Sequence, residues 1–115
     1  MSLENNNITF ASSKLKNNIV NVEEKQSSEY TSYSHVNITN TSTNKIKTYE
    51  TEEIAKEIYS YEDVIALNCG SELHIINTNG WLMKKYISEQ EINQVVISNQ
   101  IAGIIYRDKI EIIDL

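Results

Sequence analysis

The sequence predicts an all-β fold built from antiparallel meander units. Three observations carry that expectation. Apolar and polar residues alternate along most of the chain, which points one side of each strand inward and the other outward. Asn79-Gly80 stands between two apolar runs, a strong short-range hairpin signal. Residues 51–78 recur as residues 88–115, and a recurring set of strands marks a repeat architecture.

The elements follow in chain order. Met1-Ser2-Leu3-Glu4 reads as an expression-vector remnant, and a single β-rich domain is expected over 5–115. Ile8-Thr9-Phe10-Ala11 and Asn18-Ile19-Val20-Asn21-Val22 are short strand candidates. Tyr30 to Thr39 is rich in β-branched and aromatic residues, which suit a pleated surface. Asn40 to Asn44 is a turn cluster, after which Lys45 to Tyr49 alternates again. These strands are expected to be polar on one face, as antiparallel sheets allow.

The second half carries larger aliphatic groups. Val64-Ile65-Ala66-Leu67-Asn68-Cys69 should pair with Glu72-Leu73-His74-Ile75-Ile76 through a turn at Gly70-Ser71, setting His74 across from Leu67. Asn79-Gly80 should form a type I′ turn, with positive φ at both residues, leading into Trp81 to Ile87. Ile101 to Tyr106 should pair with Ile110 to Ile113 around Asp108-Lys109. The first and last of these hairpins coincide without a gap at an offset of 37 residues, the step from Glu72 to Lys109. Thr51-Glu52-Glu53 then falls on Ser88-Glu89-Gln90, and His74 on Glu111. A fainter copy begins at Val36-Asn37-Ile38 and Lys45-Ile46-Lys47, making 8–50 a weaker unit.

Two stretches admit a second reading. Thr51-Glu52-Glu53-Ile54 starts like a helix, and Ser88-x-x-Glu91 matches a capping box, so short helical turns near 51–58 and 88–92 compete with a turn followed by a strand. The β-branched run Val95-Val96-Ile97-Ser98 favours the strand. The last unit reaches Leu115 where a fourth strand is expected, and Ile8 to Ser12 is a candidate to supply it, in this chain or a neighbour.

Composition bounds the function. Of 115 residues, 40% are hydrophobic and 23% charged, values of a folding chain with one modest core. Cys69 is the only cysteine, which excludes an intrachain disulfide. The net charge of −6, with Lys84-Lys85 the only adjacent basic pair, argues against a nucleic-acid partner. Gly70, Gly80 and Gly103 are too scattered to cradle a phosphate. No apolar run approaches the ~20 residues of a spanning helix, so no membrane insertion by this segment is expected.

Candidate chemistry is sparse. Cys69 and His74 share a hairpin, but two ligands do not make a zinc site, and His35 is distant in sequence. Glu62, Asp63 and Glu72 should raise the Cys69 thiol pKa and so suppress a nucleophile. The carboxylates at Glu52-Glu53, Glu57, Glu62-Asp63 and Glu89/Glu91 lack calcium-loop spacing. No catalytic, cofactor or metal residue is therefore assigned. Trp81, Tyr86 and Tyr106 remain as candidate interface or ligand contacts, because aromatics anchor interfaces and stack on sugars.

Leu-His-Ile-Ile-Asn-Thr-Asn-Gly-Trp-Leu at 73–82 and Ile-Ala-Gly-Ile-Ile-Tyr-Arg-Asp-Lys-Ile-Glu-Ile-Ile-Asp-Leu at 101–115 resemble quinoprotein-like and WD-like blade repeats. The chain looks most like the closing blades of a clostridial β-propeller-like family of unknown function, over 45–115 and more weakly over 8–44. That resemblance implies two to three propeller blades, a fragment of a larger protein, and an extracytoplasmic location beside a membrane anchor. It carries no catalytic residue. The chain has no Trp-Asp or Gly-His dipeptide of the WD type. The expected function is a non-catalytic structural or recognition module, with protein binding or homo-oligomer formation through exposed sheet edges. A carbohydrate-binding, lectin-like module is the alternative, and a hydrolase the third.

Overall fold

The computed structural model describes residues 8–15, 18–26, 28 and 31–115. These residues form three antiparallel meander sheets and no helix. Sheet I contains β1 (Ile8–Leu15), β2 (Asn18–Gln26), β3 (Ser32–Asn40) and β4 (Ile46–Thr51), hydrogen-bonded in that order. Sheet II contains β5 (Glu57–Tyr61), β6 (Val64–Asn68), β7 (Glu72–Asn77) and β8 (Leu82–Ile87), and sheet III contains β9 (Gln94–Ser98), β10 (Ile101–Ile105) and β11 (Ile110–Asp114). The first strands lie together, β1 against β5 and β5 against β9.

The apolar pattern explains the stacking. In β2 and β3, Val20, Val22, Val36 and Ile38 alternate with polar residues, so sheet I buries one face. In β6 and β7 the apolar run is nearly continuous, and sheet II is buried on both sides. Ile65, Leu67 and Ile76 meet the sheet I valines in one core. Ala66, Leu73 and Ile75, on the opposite face, meet Val95, Ile97, Ala102 and Ile104 of sheet III in a second core. Sheet II is thus the central layer of three.

The 37-residue offset is a property of the structure. It carries the limits of β5 onto β9 and those of β6 onto β10. It also carries the pair Val36↔Tyr49 onto Leu73↔Tyr86, so β3 and β4 belong to the same repeat. Loop bonds repeat as well. Lys56 N–H donates to the Asn68 carbonyl at 2.8 Å, and Asn93 N–H to the Ile105 carbonyl at 2.8 Å.

Three expectations are resolved. Near 51–58 and 88–92 the favoured turn followed by a strand is present, and the alternative helical turns are absent. Glu53 N–H donates to Thr51 Oγ1 at 3.2 Å and Gln90 N–H to Ser88 Oγ at 3.2 Å, so each hydroxyl closes a turn two residues on. The following donors serve neighbouring strands: Ala55 N–H reaches Ser34 Oγ and Ile92 N–H the Gly70 carbonyl, both at 2.8 Å. With those donors committed, no helix can start.

Secondly, the Asn79-Gly80 hairpin forms without a type I′ turn. Only Gly80 has positive φ, at 81°. Asn77 Oδ1 accepts from Asn79 N–H at 2.9 Å and Trp81 N–H at 3.1 Å, and the Asn77 carbonyl accepts from Gly80 N–H at 3.0 Å. The Asn77 side chain fixes a three-residue loop that ends on a left-handed glycine. Positive φ at both turn residues occurs instead between β9 and β10, at Asn99 and Gln100. Thirdly, Ile8 to Ser12 does not complete sheet III of its own chain; it lies in β1 and pairs with β2.

Candidate functional site

Each junction between sheets carries a polar cluster centred on a tyrosine of the fourth strand. At the junction of sheets I and II, β4 presents Tyr49 and β7 presents His74, which is 2% exposed. The Tyr49 hydroxyl lies 2.6 Å from His74 Nδ1, and the rings meet edge to face at 5.9 Å. His74 Nε2 lies 2.8 Å from Glu72 Oε1, which Lys85 Nζ approaches at 3.4 Å. The consistent assignment has the phenol donating to Nδ1, so that Nε2–H donates to the carboxylate.

Electrostatics make this chain of groups a strut. The His74 hydrogen bond, then Lys85, hold the Glu72 carboxyl below its ordinary value. Burial, then Cys69 and Glu72, push the Tyr49 phenol up. Cys69 beside them is pushed up to about 12 by burial, then by Glu53 and Glu72. The expected suppression of the thiol is therefore present, but Glu53 acts in place of Glu62 and Asp63. A phenol and a thiol that hold their protons so firmly are poor nucleophiles.

At the junction of sheets II and III, β8 presents Tyr86, the turn after β10 presents Tyr106, and β11 presents Glu111. Both phenols donate to Glu111 Oε1, at 2.7 Å and 2.9 Å. Ser88 Oγ donates to Tyr106 Oη at 3.3 Å, and Lys109 Nζ stands 5.3 Å from the Tyr106 ring centre. These residues line a cleft of about 250 Å³. The hydrogen bonds from Tyr86 and then Tyr106 hold Glu111 below the ordinary carboxylate range. The same bond to Glu111 raises the Tyr86 phenol. The cluster thus presents a carboxylate whose Oε1 is engaged by two phenol donors.

The structure thus joins two of the three aromatic candidates. Tyr86 and Tyr106 converge on one carboxylate oxygen, with Tyr106 5% exposed. Trp81 sits at the opposite end of β8, 68% exposed and apart from both. Glu111, the shared acceptor, is not among the residues that the sequence singles out. The signal was available, since the repeat offset sets it on His74 and sets Tyr86 on Tyr49.

The acidic clusters disperse. Glu57 Oε1 accepts from Asn68 Nδ2 and Val95 N–H, both at 3.1 Å, and so ties sheet II to sheet III. Glu91 pairs with Lys56 at 2.5 Å. On the outer face of sheet I, His35 Nδ1 lies 2.5 Å from Glu50 Oε2 and its Nε2 lies 3.1 Å from Asn37 Oδ1. Asn37 Nδ2 donates to Glu23 Oε1 at 2.7 Å. Among the described residues no three of His, Cys, Asp and Glu are grouped to hold a metal ion, and no helix is long and apolar enough to cross a membrane. No family model, curated protein or solved structure matches the chain.

Proposed function

We propose that this chain is a non-catalytic structural or recognition module of blade-like β-repeats, acting through the free face of sheet III. One observation carries this reading. The polar groups inside the junctions are engaged with one another, whereas the outer face of sheet III presents Val96, Ile101, Ile110 and Ile112 to solvent. Aliphatic side chains on one face with no chemistry beside them suit contact with another macromolecule. The propeller-like reading draws support from the up-and-down strand order, the clustered first strands and the constant repeat offset.

The lectin-like alternative has less behind it. Sugar stacking needs ring faces in an open pocket, and Tyr106 is nearly buried while Trp81 stands elsewhere. An extracytoplasmic location rests on the family resemblance alone.

A photoreactive phenylalanine analogue placed at Ile112 tests the proposal in cells expressing the protein. It should yield a discrete protein adduct that is absent when the probe replaces Thr48, on the polar face of sheet I. Absence of an adduct at Ile112, or equal labelling from both positions, rejects the reading.

A further inference from the structure

The repeat itself says what kind of surface the free face of sheet III is. Carrying Val96, Ile101, Ile110 and Ile112 back by one repeat gives Tyr59, Val64, Leu73 and Ile75 of sheet II. Leu73 and Ile75 are fully buried under sheet III, and Tyr59 and Val64 pack beside them. One further repeat back, Leu73 and Ile75 become Val36 and Ile38 of sheet I, which are buried under sheet II. The same side of the same unit is therefore covered twice and bare once. Gly103 contributes to its flatness. A Cβ there would stand 3.2 Å from Val96 Cγ2 and 3.7 Å from Ile112 Cδ1, so the glycine leaves room for both side chains.

The molecule has one other outer sheet face, that of sheet I. It carries the hydrogen-bonded set Glu23, His35, Asn37 and Glu50. Head-to-tail stacking of two copies would bury these charges against aliphatics, at a large desolvation cost. Two sheet III faces brought together around a two-fold axis meet apolar on apolar. The only charged side chain on this face, Asp114, lies at its margin, paired with Ile101. An isologous contact therefore opposes no central charges.

We infer that a second copy of this chain covers sheet III, face to face about a two-fold axis. This rests on the reading of that face as a contact surface. Three strands of five residues span roughly 17 by 14 Å, or about 240 Å² on each copy, well under the ~800 Å² per partner of a standard specific interface. Dimerisation is thus expected to depend on concentration in the micromolar to millimolar range.

Sedimentation equilibrium of the purified chain tests the inference. The apparent mass should rise toward twice the monomer with concentration, and Ile110→Lys with Ile112→Lys should abolish the rise. Ile46→Lys, on the outer face of sheet I, should leave it intact. Methyl NMR of the unmodified protein supplies a second measurement, free of any folding defect: the Ile101, Ile110 and Ile112 resonances should shift with concentration while Ile65 and Ile75 do not. A monomer up to about 1 mM, or a dimer indifferent to the double substitution, overturns the inference. A monomer that still gives the Ile112 photo-adduct would remove the second copy as occupant while leaving the contact-surface reading in place.

Discussion

Tyr86 stands to Glu111 as Tyr49 stands to His74. Each phenol lies 25 residues before its partner, and each bridges from the fourth strand of one sheet to the third strand of the next. The two latches differ in what surrounds the acceptor. His74 is buried, and Nδ1 has only Tyr49, whereas Glu111 also receives Tyr106.

Removing the two hydroxyls should therefore have unequal effects. Tyr49→Phe leaves a buried ring nitrogen without its donor, which costs about 1–3 kcal/mol. Tyr86→Phe leaves Glu111 with one phenol and access to water, and should cost about 1 kcal/mol or less. Urea unfolding of both variants measures the difference. Equal costs, or a larger one for Tyr86→Phe, would contradict the assignment of His74 as the more dependent partner.

Two glycines with nearly the same φ separate backbone strain from steric clash. Gly70 has φ 85°, and a Cβ there meets only side-chain carbons at 3.9 Å. Gly80 has φ 81°, but its Cβ would lie 2.4 Å from the Thr48 carbonyl oxygen of β4. Gly70→Ala should lose the left-handed penalty alone, roughly 1–2 kcal/mol. Gly80→Ala should lose that and also push the β7–β8 turn away from sheet I. Thermal unfolding should rank Gly80→Ala clearly below Gly70→Ala, and the reverse order would refute the close approach.

Much of this was legible because strand periodicity and the repeat are local signals. The alternation of Val20, Val22, Val36 and Ile38, and the unbroken run at Val64 to Leu67, say which sheets bury one face and which bury two. The details that escaped depend on partners distant in sequence. The capping-box pattern at Ser88 was defeated because Ile92 N–H bonds to Gly70, and that acceptor is invisible from the helix pattern alone. The turn at Asn79-Gly80 was misassigned because the Asn77 side chain selects a longer loop. Trp81, Tyr86 and Tyr106 were grouped by chemistry, and strand register then separated the first from the other two. Glu111 was overlooked because a single carboxylate carries no motif, although its match to His74 was present in the repeat.

The junction clusters also set limits on pH stability at both ends. Hydrogen bonds from His74 to Glu72, and from Tyr86 and Tyr106 to Glu111, hold both carboxyls below their unfolded values. Their contribution is complete above the unfolded carboxylate value of about 4.3 and disappears as pH falls through the lower folded values. Tyr49 and Tyr86 are raised, by burial and by the Glu111 bond respectively. Their contribution is complete below about pH 10 and declines as pH rises beyond it. Cys69, raised mainly by burial to about 12, begins its own decline lower, from the unfolded thiol value. Melting temperatures across the range should fall at both limbs. The high-pH limb should be shallower in Tyr86→Phe, and an unchanged limb would show that the Tyr86 phenol keeps no extra hold on its proton.

Ile75 and Ile112 occupy the same place one repeat apart, and their contrast tests the three-layer architecture. Ile75 is 1% exposed beneath sheet III, and Ile112 is 61% exposed on it. Truncating a buried isoleucine costs about 2–5 kcal/mol through lost transfer energy and a residual cavity. An exposed one should change stability by no more than about 0.5 kcal/mol. At dilute protein, Ile75→Ala should therefore unfold far earlier in urea than Ile112→Ala. If Ile112→Ala proved as costly as Ile75→Ala in a dilute monomer, its face would have to be covered within the chain, and sheet III could not be the outer layer. A cost for Ile112→Ala that grows with protein concentration would instead mark burial between molecules, because only association makes stability depend on concentration.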